Sequence, residues 1–301
     1  MNKHRFNVAL WTLVCVSVLI NIASALLPYV MPLGVEAGLL IALPFAFAFA
    51  HGSVDYRFSD VLLFAIICFV VSNVSENMSI LTGFPFGRYY FTENLGPKLF
   101  LVPLVIGPAY FGMGYLSWML ARAILESGNH PRPRHALFAQ PVLASFVMVS
   151  WDLSIDPLAS TLRRAWVWED GGSYFGVPLS NFLGWYLTVY VFFQLFALYL
   201  RARRVNDVGR PEARNSRSYW LQPVVLYGIT AVRILLISML SAATNAQVTD
   251  QAGVAWRVHD VFAVCALVCT FTMIPFTILA LIRITEFSLA AGQRVSEGPI
   301  G

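Results

Sequence analysis

Long apolar runs, separated by short polar segments, dominate the chain. A helix needs about 20 apolar residues to cross the hydrocarbon core of a bilayer, and eight runs reach that length. The pattern therefore predicts an all-α polytopic membrane protein with about eight transmembrane helices and with both termini on the same side. The predicted spans are 8–27, 33–50, 61–80, 99–120, 138–156, 177–200, 219–241 and 259–282.

Composition excludes the soluble classes of protein. Hydrophobic residues make up 58% of the 301 residues and charged residues only 12%, with a mean hydropathy of +0.67, whereas soluble domains carry about 25% charged residues. The net charge of +4 is small and the basic residues are scattered, which excludes nucleic acid as a partner. All four cysteines lie in apolar runs and are interpreted as packing residues.

The distribution of basic residues predicts the orientation. With the N-terminus inside, 14 of the 20 Lys and Arg residues fall in inner segments and 5 in outer ones, while Arg233 lies within a helix. The positive-inside rule then predicts cytoplasmic termini, as expected for a multi-pass protein of a bacterial inner membrane. The most basic segment, 201–218, is interpreted as a cytoplasmic loop. Residues 1–301 are predicted to form a single integral-membrane domain.

Polar side chains inside the apolar runs are the first candidates for function, because each is costly in hydrocarbon unless it is paired or hydrated. In the predicted orientation, these side chains lie toward the outer side of six helices: Glu36, Glu76, Asp152, Asp156, Asn181, Arg233, His259 and Asp260. The inner halves carry little more than Gln140 and Gln194, and the segment from His51 to Asp60 is interpreted as an interfacial turn. This convergence predicts one site in the outer half of the membrane.

Two outer segments are dense in aromatic residues, Gly and Pro: TGFPFGRYY at 82–90 and WVWEDGGSYFGVPLSNFLGWY at 166–186. Gly83, Pro85 and Gly87 favour a tight, fixed turn, which is tolerated at membrane depth only where the backbone is buried or lines a cavity. Both segments are therefore predicted to be partly re-entrant caps over the site. The alternative is an ordinary aromatic belt at the membrane interface.

The reactive groups available are carboxyl groups, an arginine, a histidine and aromatic rings, without a nucleophile elbow, a phosphate-binding loop or a Cys–His pair. A carboxyl group in an apolar site can remain protonated and act as a general acid, while a better hydrated carboxylate accepts a proton from water. Protonation of an electron-rich alkene would form a tertiary carbocation, which aromatic faces stabilise until water attacks. These groups point to alkene hydration on a long hydrocarbon.

Several strings also match a known pattern: Glu76 followed by TGFPFGRYY, LGPKLFLVPL at 95–104, Asp152 with Asp156-Pro157, and Trp166-x-Trp168 leading to GVPLSNFLGW at 176–185. They resemble the integral-membrane carotenoid biosynthesis proteins of the CruF type, which are carotenoid 1′,2′-hydratases in bacteria and include the bisanhydrobacterioruberin hydratases of haloarchaea. The resemblance spans about residues 70–190 and is weaker in the last two helices. It implies addition of water across the terminal double bond of an acyclic carotenoid end group, giving a tertiary alcohol without a redox cofactor.

Glu76 and Asp152 are the leading catalytic candidates, because each is a lone carboxylate near an outer helix end and each begins a matched string. One is expected to be the general acid and the other the base that activates water, and the sequence leaves open which is which. Asp156, the third catalytic candidate, lies one helical turn after Asp152. It either tunes Asp152 by like-charge repulsion or caps the helix before Pro157.

The other candidates are substrate-binding residues, each with a structural alternative. Asn181 orients the attacking water or makes an interhelical hydrogen bond. Arg233 binds a polar substrate group or is a structural counterion. His259 and Asp260 relay protons or cap their helix. The full substrate-binding set is Arg88, Tyr89, Trp166, Trp168, Asn181, Trp185, Arg233, His259 and Asp260.

No metal and no cofactor are expected. The expected partners are an acyclic or monocyclic carotenoid, membrane lipid and downstream carotenoid-modifying enzymes.

Two other functions compete with hydration. The two aspartates of DLSID, at 152–156, have the spacing found in prenyltransferases, which bind a diphosphate through Mg²⁺, but a second acidic motif is missing. The other alternative is a carotenoid- or lipid-binding or transport protein, although the internal repeats common in transporters are not visible.

Overall fold

The computed structural model describes residues 3–27, 33–125, 136–203, 216–241 and 245–296, so most of the predicted basic loop 201–218 lies outside the described residues. Within these ranges the chain forms nine α-helices, of which α5 continues into a π-helix (Pro157–Leu162). The α-helices are α1 (Lys3–Leu26), α2 (Leu33–Asp55), α3 (Phe58–Thr82), α4 (Ile106–Leu125), α5 (Ala136–Asp156), α6 (Leu179–Ala202), α7 (Arg217–Leu240), α8 (Val258–Phe271) and α9 (Met273–Ser296).

Short strands between the helices pair into two-stranded antiparallel sheets. The pairs are β1 (Tyr89–Phe91) with β4 (Trp166–Trp168), β2 (Lys98–Leu99) with β3 (Val102–Pro103), and β5 (Gln247–Thr249) with β6 (Ala255–Arg257). Because β1 follows α3 and β4 follows α5, their pairing joins the two predicted cap segments at one end of the bundle. Arg164 Nη2 donates to the carbonyl oxygen of Thr249 at 3.0 Å, which joins the segment after α7 to the same end. We call these three joined segments the cap.

Seven stretches of the described chain are long and apolar enough to cross a membrane: α1, α2, α3, α5 with its π-helix, α6, α7, and α8 together with α9. The prediction of a polytopic helical membrane protein is confirmed. The predicted span at 259–282 consists of two helices that meet at Thr272. A single straight helix is prevented by Pro275, which cannot donate a hydrogen bond to Phe271 and whose ring would clash with that carbonyl group.

The remaining predicted span, 99–120, corresponds to α4, which begins only at Ile106 because the β2–β3 hairpin takes the preceding residues. α4 packs against α2, α3, α5, α7 and α9, and it is buried continuously over residues 110–123. A Cβ atom at Gly112 would lie 3.0 Å from the backbone nitrogen of Phe45 in α2. Small residues let membrane helices approach this closely. Neighbouring helices rather than lipid therefore surround α4, which explains why it tolerates polar side chains.

A buried ion pair at the end of the bundle opposite the cap joins α2 to α4. Arg122 Nη1 lies 2.7 Å from Asp55 Oδ2, and neither side chain is more than 1% exposed. The same nitrogen donates to the Tyr56 hydroxyl at 2.9 Å, and Trp118 Nε1 donates to that hydroxyl at 3.1 Å. Asp55 and Arg122 are 67 positions apart in the sequence, so only the folded chain reveals their pairing.

His51 and Asp60 are buried and hydrogen bonded in the same region. His51 Nε2 lies 2.8 Å from the carbonyl oxygen of Tyr219, and Nδ1 lies 2.7 Å from the hydroxyl of Tyr115. A carbonyl group only accepts, so Nε2 carries the proton and Nδ1 accepts from the tyrosine. Asp60 Oδ1 accepts from the hydroxyl of Tyr199 at 2.7 Å. The predicted turn is present between α2 and α3, but the expectation that the inner helix halves carry few polar groups is wrong, because His51, Asp55 and Asp60 are buried there.

Removing one member of the buried ion pair should destabilise the bundle more than breaking an exposed pair. Asp55→Ala leaves Arg122 buried without this counter-charge, at a cost on the order of 3 kcal/mol, so the apparent melting temperature in detergent should fall by several degrees. The control is Asp170→Ala, which removes the partner of the exposed Arg88 and should leave the melting temperature unchanged. Equal melting temperatures for the two variants would contradict the role assigned to the buried pair.

Candidate active site

A cavity of about 650 Å³ lies beneath the cap, at the N-terminal end of α4. Its walls are mainly aliphatic and aromatic and come from helices α1 to α8 and from the cap. The volume lies within the range of pockets that enclose small organic ligands. The predicted site residues that line the cavity are Glu76, Tyr89, Asp152, Asp156, Trp166, Trp168, Asn181, Trp185 and Arg233.

Glu76 is held on the buried face of α3 by two tyrosines and is only 5% exposed. The Tyr110 hydroxyl donates to Glu76 Oε1 at 2.8 Å, and the Tyr89 hydroxyl donates to Oε2. The ring of Tyr110 stacks on Trp185, with their centroids 4.5 Å apart. Both carboxyl oxygens of Glu76 therefore accept hydrogen bonds, and the residue faces an aromatic wall.

Asp152 and Asp156 share one amide group. Asn181 Nδ2 donates to Asp156 Oδ2 at 2.7 Å and lies 3.3 Å from Asp152 Oδ2. Trp166 Nε1 donates to Asp156 Oδ1 at 2.7 Å. Asp156 thus has a donor on each oxygen, whereas no group in the described part of the chain donates to Asp152 Oδ1. The two aspartates line the same cavity with different hydrogen bonding.

Pro157 determines how α5 ends beside Asp156. Its ring nitrogen has no proton, so the carbonyl of Leu153, four residues earlier, loses its ordinary helical partner. The hydroxyl of Tyr174 donates to this carbonyl at 3.1 Å. The chain then continues as a π-helix, in which Ser160 Oγ donates to the carbonyl of Asp156 at 2.8 Å. The Asp-Pro pair therefore marks a local change of helix type, a feature often found at functional sites.

The turn after α3 is fixed by two serines. Gly83 caps the C-terminus of α3, and its φ of 82° is in the left-handed region that favours glycine. Ser79 Oγ accepts from the backbone N–H of Phe86 at 3.0 Å and donates to the carbonyl of Gly87 at 2.8 Å. Ser180 Oγ, at the start of α6, donates to the carbonyl of Phe86 at 2.8 Å. The first cap segment is therefore tied to both α3 and α6.

Alternation along β1 and β4 places four rings over the cavity. Tyr89 pairs with Trp168 and Phe91 pairs with Trp166 across the sheet. Residues two apart in a strand lie on the same face, so these four rings line the cavity, whereas Tyr90 between them is 44% exposed. The structure thus places both predicted cap segments above the cavity. The alternative of an aromatic belt at the membrane interface fits only Tyr90, whose ring faces outward.

Arg233 also lines the cavity and pairs with a different carboxylate. Arg233 Nη2 lies 2.9 Å from Glu36 Oε1, and Nε donates to Ser24 Oγ at 2.9 Å. Arg163 Nη2 lies 3.4 Å from the same oxygen of Glu36. The counterion of Arg233 is therefore Glu36 on α2. Arg233 is a polar group of the cavity that does not pair with Glu76, Asp152 or Asp156.

Three predicted substrate-binding residues do not line the cavity. Arg88 forms an exposed ion pair with Asp170, and this hydrogen bond raises the pKa of Arg88 and lowers the pKa of Asp170. Asp260, in the first turn of α8, forms an ion pair on the protein surface, with its Oδ2 2.7 Å from Arg257 Nε. The side chain of His259 is half-buried outside the cavity. Tyr89 and Val258, next to Arg88 and His259 in the sequence, line the cavity, but the local backbone geometry directs these three side chains elsewhere.

Sequence reasoning missed Tyr110, which binds Glu76, and the cavity-lining rings of Phe86, Phe91 and Trp151. A signal for Tyr110 was present: the string GPAYFGMGYLSW mixes small and polar aromatic residues, which is typical of a helix packed inside a bundle. The contact between Tyr110 and Glu76 could not be predicted from the sequence, because it depends on how α4 packs against α3.

The fold and the cavity define a multi-pass helical membrane protein with carboxyl groups in an apolar pocket. The chain matches the family described as carotenoid biosynthesis protein over residues 33–255, about three quarters of its length. It belongs to that family, and the matched region contains Glu76, Asp152, Asp156 and Asn181. No curated protein and no solved structure matches the chain.

The close approach of α6 to the first cap segment can be tested at Gly184. A Cβ atom there would lie 2.5 Å from the carbonyl oxygen of Pro85, so Gly184→Ala should cost about 1–3 kcal/mol through overpacking and lower the melting temperature in detergent. In α2, Gly38 has no heavy atom within 4 Å of an added Cβ. Gly38→Ala should therefore keep or raise the melting temperature. A Gly184→Ala protein as stable as the Gly38→Ala protein would refute the close contact.

Proposed function

We propose that the protein adds water across the terminal C1′–C2′ double bond of an acyclic carotenoid end group and is a carotenoid 1′,2′-hydratase. Family membership supports carotenoid as the substrate class. The observation that carries the reaction is the set of three buried carboxyl groups, Glu76, Asp152 and Asp156, in one apolar, aromatic-walled cavity. Alkene hydration needs a proton donor, a proton acceptor and stabilisation of a cation, and this set can supply all three.

Asp152 is the general acid in this proposal. Its Oδ2 lies near the amide of Asn181, while its Oδ1 has no donor among the described residues and the side chain lines the cavity. A protonated carboxyl group can place its proton on such an oxygen and direct it at a substrate carbon. Asp156 is less suited to this role, because N–H groups of Trp166 and Asn181 already donate to its two oxygens.

Glu76 and the surrounding rings stabilise the carbocation. Protonation of C2′ leaves the positive charge on the tertiary carbon C1′, and both a carboxylate and aromatic faces attract such a charge. Tyr89 and Tyr110 hold the Glu76 carboxyl group by its two oxygens, so it is fixed before the charge develops. The water oxygen then bonds to C1′ and its proton passes to a second carboxylate, which gives the tertiary alcohol.

The substrate reaches this cavity from the bilayer, because the carotenoid, the bilayer core and most of the cavity wall are apolar. In the orientation predicted from the positive-inside rule, the cavity lies in the outer half of a bacterial inner membrane. The alcohol then becomes available to downstream carotenoid-modifying enzymes that act on hydroxyl groups. The chain is proposed to work as one integral-membrane domain.

The proposal predicts that Asp152→Asn and Glu76→Gln abolish hydration. In a lycopene-producing bacterium, the wild-type protein should yield pigments that have gained the mass of one or two water molecules. Loss of a general acid or of a cation-stabilising carboxylate should lower the yield at equal expression by at least about 100-fold. Mass spectrometry of the extracted pigments measures the change.

The matched control is Glu93→Gln, which removes a cap carboxylate that is 90% exposed and paired with Lys98. It should retain wild-type hydration. Water addition that persists in both Asp152→Asn and Glu76→Gln would show that this cluster is not catalytic. Wild-type protein that binds carotenoid without changing its mass, also with monocyclic and C50 precursors, would favour a binding or transport protein instead.

Metal removal separates hydration from the prenyltransferase alternative. A diphosphate-dependent prenyltransferase needs Mg²⁺ bound by its acidic side chains, whereas the proposed hydration uses only carboxyl groups and water. Purified protein treated with a chelator should therefore hydrate its carotenoid at an unchanged rate. Activity that disappears on chelation and returns with Mg²⁺ would overturn the proposal in favour of the prenyltransferase.

A further inference from the structure

Trp168 carries a buried hydrogen-bond donor without an acceptor. Its side chain lines the cavity and is only 5% exposed. Its indole Nε1 interacts with the Asp156 carboxyl group, but no atom of the described chain accepts from it within ordinary hydrogen-bond geometry. A buried N–H left in this state is costly, so such groups in native proteins usually have a partner.

The neighbouring indole, that of Trp166, forms a direct hydrogen bond to Asp156. Trp166 lies two residues earlier on the same face of β4, and its Nε1 donates to Asp156 Oδ1 at 2.7 Å. Both indoles therefore approach the same carboxyl group, and only one of them bonds to it. A polar contact that is too long or too oblique for a direct hydrogen bond is typical of a site bridged by water.

We propose that Trp168 Nε1 and the Asp156 carboxylate together bind the water molecule that is added to the substrate, and that Asp156 is the base that takes its proton. The inference rests on the proposed hydration and extends it by assigning the base and the water site. An indole nitrogen only donates, so it binds the water through one lone pair of the oxygen. One hydrogen of the water then points at Asp156, and the second lone pair stays free for the substrate.

Asp152 and Asp156 together account for every proton that moves in the proposed reaction. The O–H bond of Asp152 breaks and its proton forms the new C2′–H bond with the π electrons of the alkene, leaving a cation at C1′. The water oxygen forms the C1′–O bond while its proton moves to Asp156. Asp152 is then ionised and Asp156 protonated. Because both carboxyl groups lie one helical turn apart and share Asn181, transfer of the proton from Asp156 back to Asp152 restores the starting state.

This assignment predicts that Trp168 acts after the cation has formed, which a deuterium experiment can detect. A cation that water does not capture loses a proton from a neighbouring carbon and returns as the starting alkene or a double-bond isomer. In D₂O the proton delivered by Asp152 is a deuteron, so the returned alkene carries one deuterium. The ratio of deuterated alkene to alcohol therefore measures how well the water is captured.

The sharpest variant replaces Trp168 by 3-benzothienylalanine, in which sulfur takes the place of the indole N–H and the ring keeps its size. The full-length protein is incubated with lycopene in D₂O, and both products are measured by mass spectrometry. Loss of one hydrogen bond to the water should lower alcohol formation roughly 3- to 10-fold and raise the ratio of deuterated alkene to alcohol. The same replacement at Trp256, whose N–H donates to Asp250 outside the cavity, should change neither product.

Aspartate variants assign the two steps. Asp156→Asn should lower alcohol formation at least about 100-fold while deuterated alkene still forms, whereas Asp152→Asn should lose both products. Deuterated alkene and alcohol that fall in proportion in the Trp168 variant would overturn the water site and leave a structural role, and unchanged alcohol formation would overturn it as well. A wild-type protein that forms neither product would refute hydration itself, which separates failure of the function from failure of the water site.

Discussion

The ion pair between Asp55 and Arg122 is the interaction on which the arrangement of the bundle depends. Each charge needs the other, because both side chains are buried in the protein and away from water. Their pairing ties the end of α2 to the end of α4, and Gly112 lets the same two helices approach closely farther along. α4 is thereby fixed at the centre of the bundle. Its other end then lies beneath the cap, where it forms the floor of the cavity and presents Tyr110 to Glu76.

The same constraint distinguishes the structural polar groups from those of the candidate site. Opposite the cap, His51, Asp60 and the buried ion pair make hydrogen bonds within the protein that fix helices against each other. Beneath the cap, Asp152 Oδ1 and Trp168 Nε1 have no partner within the described chain. Polar groups without a hydrogen-bond partner in an apolar cavity can bind a reacting molecule, because a ligand or a water molecule can supply the missing hydrogen bond.

Conformational detail at the cap connects local sequence to the proposed chemistry. The missing N–H of Pro157 turns the end of α5 into a π-helix, and the freed carbonyl of Leu153 accepts from Tyr174 in the second cap segment. Ser79 ties the first cap segment to α3. The carboxyl groups and the rings above them are therefore held by rigid elements. Such preorganisation is needed if a carbocation is to form without being lost to side reactions.

Much of the fold follows from the sequence alone. The lengths of the apolar runs determine six of the eight predicted spans to within about five residues, since a bilayer requires about 20 residues per span. The exceptions are α4, which begins seven residues later than predicted, and the last span, which is broken at Thr272. The cost of a charge in hydrocarbon makes Glu76, Asp152 and Asp156 candidates for function. The frequent Gly and Pro residues indicate where the cap segments lie. Local signals of this kind depend on near neighbours in the chain, which is why they can be recognised without the folded structure.

Only the tertiary structure decides which polar groups meet. The pairing of Asp55 with Arg122, of Arg233 with Glu36 and of Tyr110 with Glu76 joins residues far apart in the sequence, so no local pattern contains it. The same holds for the exclusion of Arg88, His259 and Asp260 from the cavity, which depends on the direction of each side chain. The sequence determined a helical membrane protein with costly carboxyl groups, and packing around α4 decided which of them share a cavity.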